Sequence, residues 1–158
     1  MIYTRRIFLS SLIGISGGYA FAQTKQEKPP PIAGDLVKEF VIAGHGNLQK
    51  VKEMLEQQPN LLNASWDWGN GDYETAIEGA GHVGNREVAE YLLGRGARLN
   101  MFAAAMLGKI DIVRSTLTVF PDLKTSKGPH GLMLIHHATK GGEQAKEVLE
   151  YLKQIGAS

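Results

Sequence analysis

Apolar residues recur at intervals of three and four along the chain after residue 35, and this spacing predicts short amphipathic helices. The clearest stripes are Val51, Met54 and Leu55, then Val88, Tyr91 and Leu92. Small residues dominate the segment before each stripe, at Ala43, Ala80, Gly81, Ala104, Ala105 and Ala138. The pattern predicts an all-α fold of paired short helices, in which the small residues let the first helix of each pair pack closely.

Glycines recur at the ends of these predicted helices and divide the chain into repeats. The glycines that share one position in the pattern are Gly46, Gly84, Gly108 and Gly142, at intervals of 38, 24 and 34 residues. The long first interval predicts a finger loop around Ser65 to Glu74, and the third predicts one at Lys124 to Gly131. The short second interval leaves almost no loop before Met101. Such repeats are too small to fold alone and are expected to stack around one core.

One segment, from Thr75 to Asn100, resembles the ankyrin repeat, with its opening T-P-L-H-x-A-A-x-x-G, its Leu-Leu pair and its closing G-A-x-x-N. The residues that match are Thr75, Ala80, Gly81, Gly84, Val88, Leu92, Leu93, Gly96, Ala97 and Asn100. Ala76 and Glu78 replace the proline and histidine of the opening tetrapeptide. Thr75 and Glu78 nevertheless have the spacing of a capping box, which explains where this helix begins.

Three weaker copies follow the same frame, and in the last of them His136 occupies the histidine position of the opening tetrapeptide. The resemblance covers residues 35–158. It implies an ankyrin-repeat solenoid of about four helix-turn-helix repeats with finger loops. The expected repeats are residues 35–63, 72–100, 101–124 and 130–158. The resemblance also implies a scaffold that binds other proteins, because ankyrin arrays are overwhelmingly binding proteins.

Residues 1–22 have the pattern of an export signal. Arg5 and Arg6 precede a glycine-interrupted apolar stretch, and the small residues Ala20 and Ala22 predict cleavage before Gln23. The paired arginines followed by Phe and Leu resemble the bacterial twin-arginine signal. An ordinary secretory signal and an uncleaved inner-membrane anchor are the alternatives. We expect a periplasmic or secreted protein with no membrane attachment after cleavage.

Residues 23–34 form a polar, proline-rich linker before the domain at residues 35–158. Without residues 1–22 the chain has 15 basic and 16 acidic side chains, so its formal charge is −1 rather than +1. That balance argues against a nucleic-acid partner. The chain has no cysteine, which excludes disulfides and thiolate metal sites. We expect a monomer with no cofactor.

The first finger loop carries the most unusual string in the chain. Trp66, Asp67, Trp68 and Tyr73 stand on a glycine-rich turn. Aromatic side chains on exposed loops are typical anchors for a partner. The alternative is that both tryptophans pack inward against the repeats, because large exposed apolar surfaces are uncommon on monomers.

The remaining candidate binding residues lie on and around the second finger loop. His130 is expected across a notch from the tryptophans, and Met101 and Phe102 are expected to form its floor. His45 and His82 precede frame glycines at similar places, which favours repeat geometry over a paired metal site. Three histidines fall within eight residues near the C-terminus, but no carboxylate lies at a matching helical spacing. The sequence therefore predicts no metal site.

The function expected from these observations is binding of an unidentified protein partner through the concave face and the finger loops. A receptor for a small molecule or glycan, using the notch between the Trp66/Trp68 and His130 fingers, is the alternative. No nucleophile elbow, P-loop, dinucleotide fingerprint or HExxH motif is present, so the chain is not expected to be an enzyme. An enzyme would need acids and histidines that converge in the notch with strongly shifted pKa values.

Overall fold

The structure, a computed structural model, describes residues 28–157. The predicted export segment, including Arg5, Arg6, Ala20 and Ala22, lies outside the described residues. The α-helices of the described part are α1 (Gly34–Gly44), α2 (Leu48–Gln57), α3 (Ala76–Val83), α4 (Arg86–Gly94), α5 (Met101–Met106), α6 (Ile110–Val119), α7 (Leu134–Lys140) and α8 (Lys146–Gln154). Its strands are β1 (Ser65–Asp67) and β2 (Tyr73–Thr75). The described part is mostly helical, which confirms the all-α prediction at that level.

Short polar side chains fix where several helices begin. The side chains of Asn47, Asn85 and Asn100 each accept a hydrogen bond from a backbone N–H in the first turn of α2, α4 and α5. Such caps satisfy donors that have no partner inside the helix. At the start of α3, the Glu78 carboxylate accepts hydrogen bonds from the backbone N–H and the hydroxyl of Thr75, at 2.8 and 2.7 Å.

Alternate helices pack on one another in chain order. Helix α1 contacts α3, α3 contacts α5, and α5 contacts α7, while each of these helices also contacts the helix that follows it. The small residues of the first helices make this close approach feasible, because Ala80, Ala104 and Ala138 are fully buried. The second helices contribute longer side chains to the core, among them Leu55, Leu92 and Leu152.

One of the frame glycines shows why the repeat needs this residue. Gly84 ends α3 with φ +86°, a left-handed conformation that glycine adopts without strain. A Cβ at this position would lie 2.6 Å from the carbonyl oxygen of Lys140 at the end of α7. Gly84 therefore allows both the turn and the close approach of α3 to α7.

Two loops, one directly before α3 and one directly before α7, surround the candidate site. The tryptophan hairpin (residues 65–75) pairs β1 with β2 in antiparallel register, with Trp66 opposite Glu74. The histidine loop (residues 127–133) is closed by an antiparallel bridge between Lys127 and Met133. No helix within residues 28–157 has the length and apolar character needed to cross a membrane.

Candidate functional site

A carboxylate is fully buried at the base of the tryptophan hairpin. Glu74, in β2, has no exposed surface. Its Oε2 accepts a hydrogen bond of 2.8 Å from the indole N–H of Trp68. A buried charge is costly unless it is paired and hydrogen-bonded, so the remaining neighbours of Glu74 determine whether its carboxyl group is charged or protonated.

Three histidines surround this carboxylate. His82 Nδ1 lies 2.9 Å from Glu74 Oε1, His45 Nε2 lies 3.6 Å from Oε2, and His130 Nε2 lies 3.5 Å from Oε1. The imidazole ring centroids of His45 and His82 are 4.7 Å apart, and those of His82 and His130 are 5.1 Å apart. We call His45, Glu74, His82 and His130 the histidine cluster.

Different elements position the histidines. His45 caps the C-terminus of α1 and His82 lies in the last turn of α3, so the packing of α1 on α3 brings them together. His130 lies in the histidine loop in a left-handed conformation, with φ +59°. A non-glycine residue rarely adopts this conformation unless its surroundings hold it there.

Asp72 supplies the contacts that hold His130. One oxygen of the Asp72 carboxylate accepts from the backbone N–H of His130 at 2.8 Å, and the other lies 2.9 Å from His130 Nδ1. The hydrogen bond from the His130 backbone is the main reason that the pKa of Asp72 is lowered. The tryptophan hairpin and the histidine loop are therefore joined directly.

The surroundings of Glu74 favour its charged form. Burial by itself raises the pKa of Glu74, but the adjacent His82, the hydrogen bond from Trp68 and the electrostatic interaction with His45 outweigh burial and lower the pKa. A carboxylate held in its charged form is a good cation ligand and a poor general acid.

Two polar atoms at the centre of the histidine cluster are buried without a hydrogen-bond partner. They are Glu74 Oε1 and His82 Nδ1, which face each other at 2.9 Å but not in hydrogen-bonding geometry. Buried polar atoms are nearly always paired, so these two atoms need an explanation.

The residues predicted on the tryptophan hairpin have different surroundings. Trp66 is half-buried, with its ring against α1 and the ammonium of Lys38 5.5 Å from the ring centre. Trp68 is 38 % exposed, and its ring centroid lies 5.9 Å from that of His130. Asp67 accepts from the backbone N–H groups of Gly69 and Gly71 and so shapes the turn. Tyr73 is 60 % exposed.

The predicted floor residues Met101 and Phe102, at the start of α5, are both half-buried. The ring of Phe102 lies next to Gly128 of the histidine loop. The expected open notch between His130 and the tryptophans is not what the structure has, because Asp72 bonds to His130 and Trp68 lies beside it. The short connection between α4 and α5 places no finger between the two loops, so they meet.

A cleft remains beside this contact. It has a volume of about 230 Å³. The residues that line it are Gly71, Asp72, Tyr73, Glu78, Phe102, Lys127, Gly128 and Pro129. Of the residues predicted as binding contacts, Tyr73 and Phe102 reach this cleft.

Glu74 and the joint position of three histidines are not predicted from the sequence. A buried acid in a polar, glycine-rich string such as residues 66–74 gives no periodic signal. The sequence does carry a signal for the pair of histidines, because His45 and His82 occupy similar positions before frame glycines. Stacked repeats bring such positions together, so the repeat geometry itself places His45 beside His82.

Comparison with protein-family models and with curated proteins finds no match to this chain.

Proposed function

We propose that this chain is an exported ankyrin-type repeat protein that binds a protein partner through the tryptophan hairpin and the histidine loop. Supporting the family are the recurring sequence frame and the packing order of α1, α3, α5 and α7, each followed by a second helix. The observation that carries the binding function is the exposed ring of Tyr73 at a cleft between the two loops.

The chemistry of the cleft suits a segment of a protein. Tyr73 and Phe102 offer aromatic surface, and the exposed Lys127 offers a positive charge that can pair with an acidic group of a peptide. Aromatic residues surrounded by polar groups are typical of protein interfaces.

The volume of the cleft favours a protein partner over a small molecule. Pockets that enclose small ligands usually measure roughly 300–1,000 Å³. At about 230 Å³ the cleft can accept one side chain of a partner, with the remaining contacts on the surrounding loops. We assign no catalytic step to this site.

Site-specific photo-crosslinking tests the binding surface. A photo-reactive phenylalanine analogue replaces Tyr73 in one variant and Phe120 in the control. Phe120 is equally exposed, at 60 %, but lies at the end of α6. In the native cell envelope we expect a discrete crosslinked protein from position 73 that Phe102→Ala weakens. Equal crosslinking from both positions, or none from position 73 in a folded protein, contradicts the proposal.

Export is tested with the full chain. Replacing both arginines, Arg5→Lys and Arg6→Lys, is expected to leave the protein uncleaved in the cytoplasm if the twin-arginine route carries it. Mass spectrometry of the unaltered protein from the periplasm should show a chain that begins at Gln23. An unaltered chain that stays in the cytoplasm with residues 1–22 attached would overturn this part of the proposal.

A further inference from the structure

We propose that the histidine cluster binds one divalent transition-metal ion of the zinc class, through three imidazole nitrogens and one oxygen of Glu74. One candidate ligand atom from each of the four residues lies within 4.8 Å of all the others. Metal binding is an activity separate from partner binding, and either can hold without the other.

In two of the histidines, the ring nitrogen that would not bind the metal, Nδ1, already has a hydrogen-bond acceptor, as metal-binding histidines require. His45 Nδ1 lies 3.0 Å from the carbonyl oxygen of Val41, which can only accept, so Nδ1 carries the proton. His130 Nδ1 lies 2.9 Å from the Asp72 carboxylate and donates to it. In neutral His45 and His130, Nε2 then has a free lone pair, and both Nε2 atoms face Glu74. Backbone carbonyls and carboxylates orient metal-binding imidazoles in this same manner.

The buried carboxylate supplies an independent observation. Glu74 has no exposed surface, and its Oε1 has no hydrogen-bond donor, whereas Oε2 is satisfied by Trp68. His82 Nδ1 is also unpartnered and lies 2.9 Å from Oε1. A cation bound by both atoms would satisfy them together.

The separations around Glu74 Oε1 lie on both sides of those in a tetrahedral site. Zinc bonds to nitrogen and oxygen of about 2.0–2.1 Å place neighbouring ligand atoms roughly 3.4 Å apart. His130 Nε2 lies 3.5 Å from Oε1, close to this value, and His82 Nδ1 lies 2.9 Å from it, whereas His45 Nε2 lies 3.6 Å from the other oxygen, Oε2. Binding of an ion through Oε1 would therefore move His82 slightly away from this oxygen and bring His45 toward the ion.

The donor set identifies the class of ion. Imidazole suits zinc, copper, nickel and iron, whereas magnesium and calcium prefer sites built from oxygen ligands. Four protein ligands around one ion are typical of structural rather than catalytic zinc sites. The ligands come from the end of α1, from β2, from α3 and from the histidine loop. An ion here would therefore link the tryptophan hairpin and the histidine loop to α1 and α3 and stabilise their packing.

The test uses the full chain without a polyhistidine tag, stripped of metal with a chelator and kept at pH 7.5. Calorimetric titration with Zn²⁺ is expected to show one ion per chain with a dissociation constant of micromolar or lower. Zinc at about 100 times that constant should raise the melting temperature by roughly 10 °C. Cobalt(II) in place of zinc should give the strong visible absorption of a four-coordinate ion.

Matched variants separate the cluster from other sites. His130→Gln, in an exposed loop, and Glu74→Gln are each expected to weaken zinc binding at least 100-fold. Asp72→Asn leaves all four proposed ligands in place but removes the carboxylate that contacts His130 Nδ1 and the His130 backbone N–H, and we expect it to weaken binding about 10- to 100-fold. His136→Gln is the control, because His136 lies outside the ligand set and the glutamine amide can still donate to the carbonyl oxygen of His82 that His136 Nε2 contacts. This control should bind zinc like the unaltered chain.

Three results would overturn the proposal. The first is a folded, metal-free chain, checked by circular dichroism, that shows no saturable zinc binding. The second is binding that His130→Gln leaves unchanged. The third is binding that His136→Gln weakens as much as His130→Gln does. Because His130 is part of an exposed loop, its variant remains informative even if Glu74→Gln fails to fold.

Discussion

Two polar side chains are fully buried in the described part of the chain, and one of them is charged whereas the other is neutral. Glu74, under the tryptophan hairpin, is surrounded by Trp68 and three histidines, and its pKa is lowered, so it stays charged. His137, in α7, has no carboxylate among the groups that shift its pKa, and burial lowers that pKa to about 4, so it stays neutral.

The surroundings of His137 explain its neutral state. Its Nδ1 donates to the carbonyl oxygen of Met133 at 2.9 Å, its Nε2 has no partner, and its ring lies 5.1 Å from that of Phe102. The nearby His136 and His82 further oppose a positive charge. A buried group keeps its charge where the fold surrounds it with hydrogen-bond donors and groups that can carry the opposite charge, as Trp68 and the histidines do for Glu74, whereas no carboxylate does so for His137.

The same substitution at both positions tests this difference most strongly. Glu74→Leu is expected to lower the free energy of unfolding by about 3 kcal/mol at pH 7.5, because Trp68 Nε1 and His82 Nδ1 lose their carboxylate. His137→Leu is expected to cost about 1 kcal/mol or less, because the Met133 carbonyl still accepts backbone N–H groups. Urea unfolding in the presence of a chelator measures both, and equal losses would contradict the comparison.

The stability of the protein is expected to depend on pH through His137. Unfolded His137 takes up a proton near pH 6.5, whereas the folded protein resists protonation until about pH 4. The unfolded state binds more protons between these values, so the contribution of His137 to stability is complete above pH 6.5 and falls as the pH is lowered toward 4. At pH 5 the loss amounts to about 2 kcal/mol.

The control for this prediction is the His137→Leu variant. It should lose less stability than the unaltered chain between pH 7.5 and pH 5, and at pH 5 it should be the more stable of the two. Parallel stability curves for the two proteins over this range would show that His137 is not held neutral.

The smallest predicted effect is local to the contact between the tryptophan hairpin and the histidine loop. Asp72→Asn weakens the contact with His130, so the backbone amide of His130 should exchange its hydrogen faster. Asp67→Asn is the matched control, because Asp67 bonds to Gly69 and Gly71 within the same hairpin. It should speed exchange at those two amides and leave His130 unchanged. An unchanged His130 amide in Asp72→Asn would contradict the role assigned to this contact.

The positions of the helices can be predicted from the sequence because they depend on residues that are close together in the chain. The stripe at Val88 and Leu92 is buried as its spacing predicts, and the contact between Thr75 and Glu78 forms at the start of α3. These features depend on residues three and four positions apart, and the intervals are fixed by the geometry of a helix.

The site was less readable because it depends on distances that no local rule sets. Glu74 is surrounded by His45 at the end of α1, His82 of α3 and His130 of the histidine loop, and the contacts of Asp72 help to hold His130 beside it. The open notch predicted between the tryptophans and His130 is closed for the same reason, because the short second interval lets the two loops meet, and the cleft lies beside this contact with Phe102 in its lining.

X-ray absorption at the zinc edge, on the zinc-loaded full chain, examines the histidine cluster most directly. We expect one shell of four nitrogen and oxygen ligands at about 2.0–2.1 Å, with the outer-shell scattering of several imidazole rings. Loss of part of that scattering in His130→Gln, but not in His136→Gln, would assign it to the cluster. A shell of six oxygen ligands without imidazole scattering would contradict the account of Glu74 and its histidines as a metal centre.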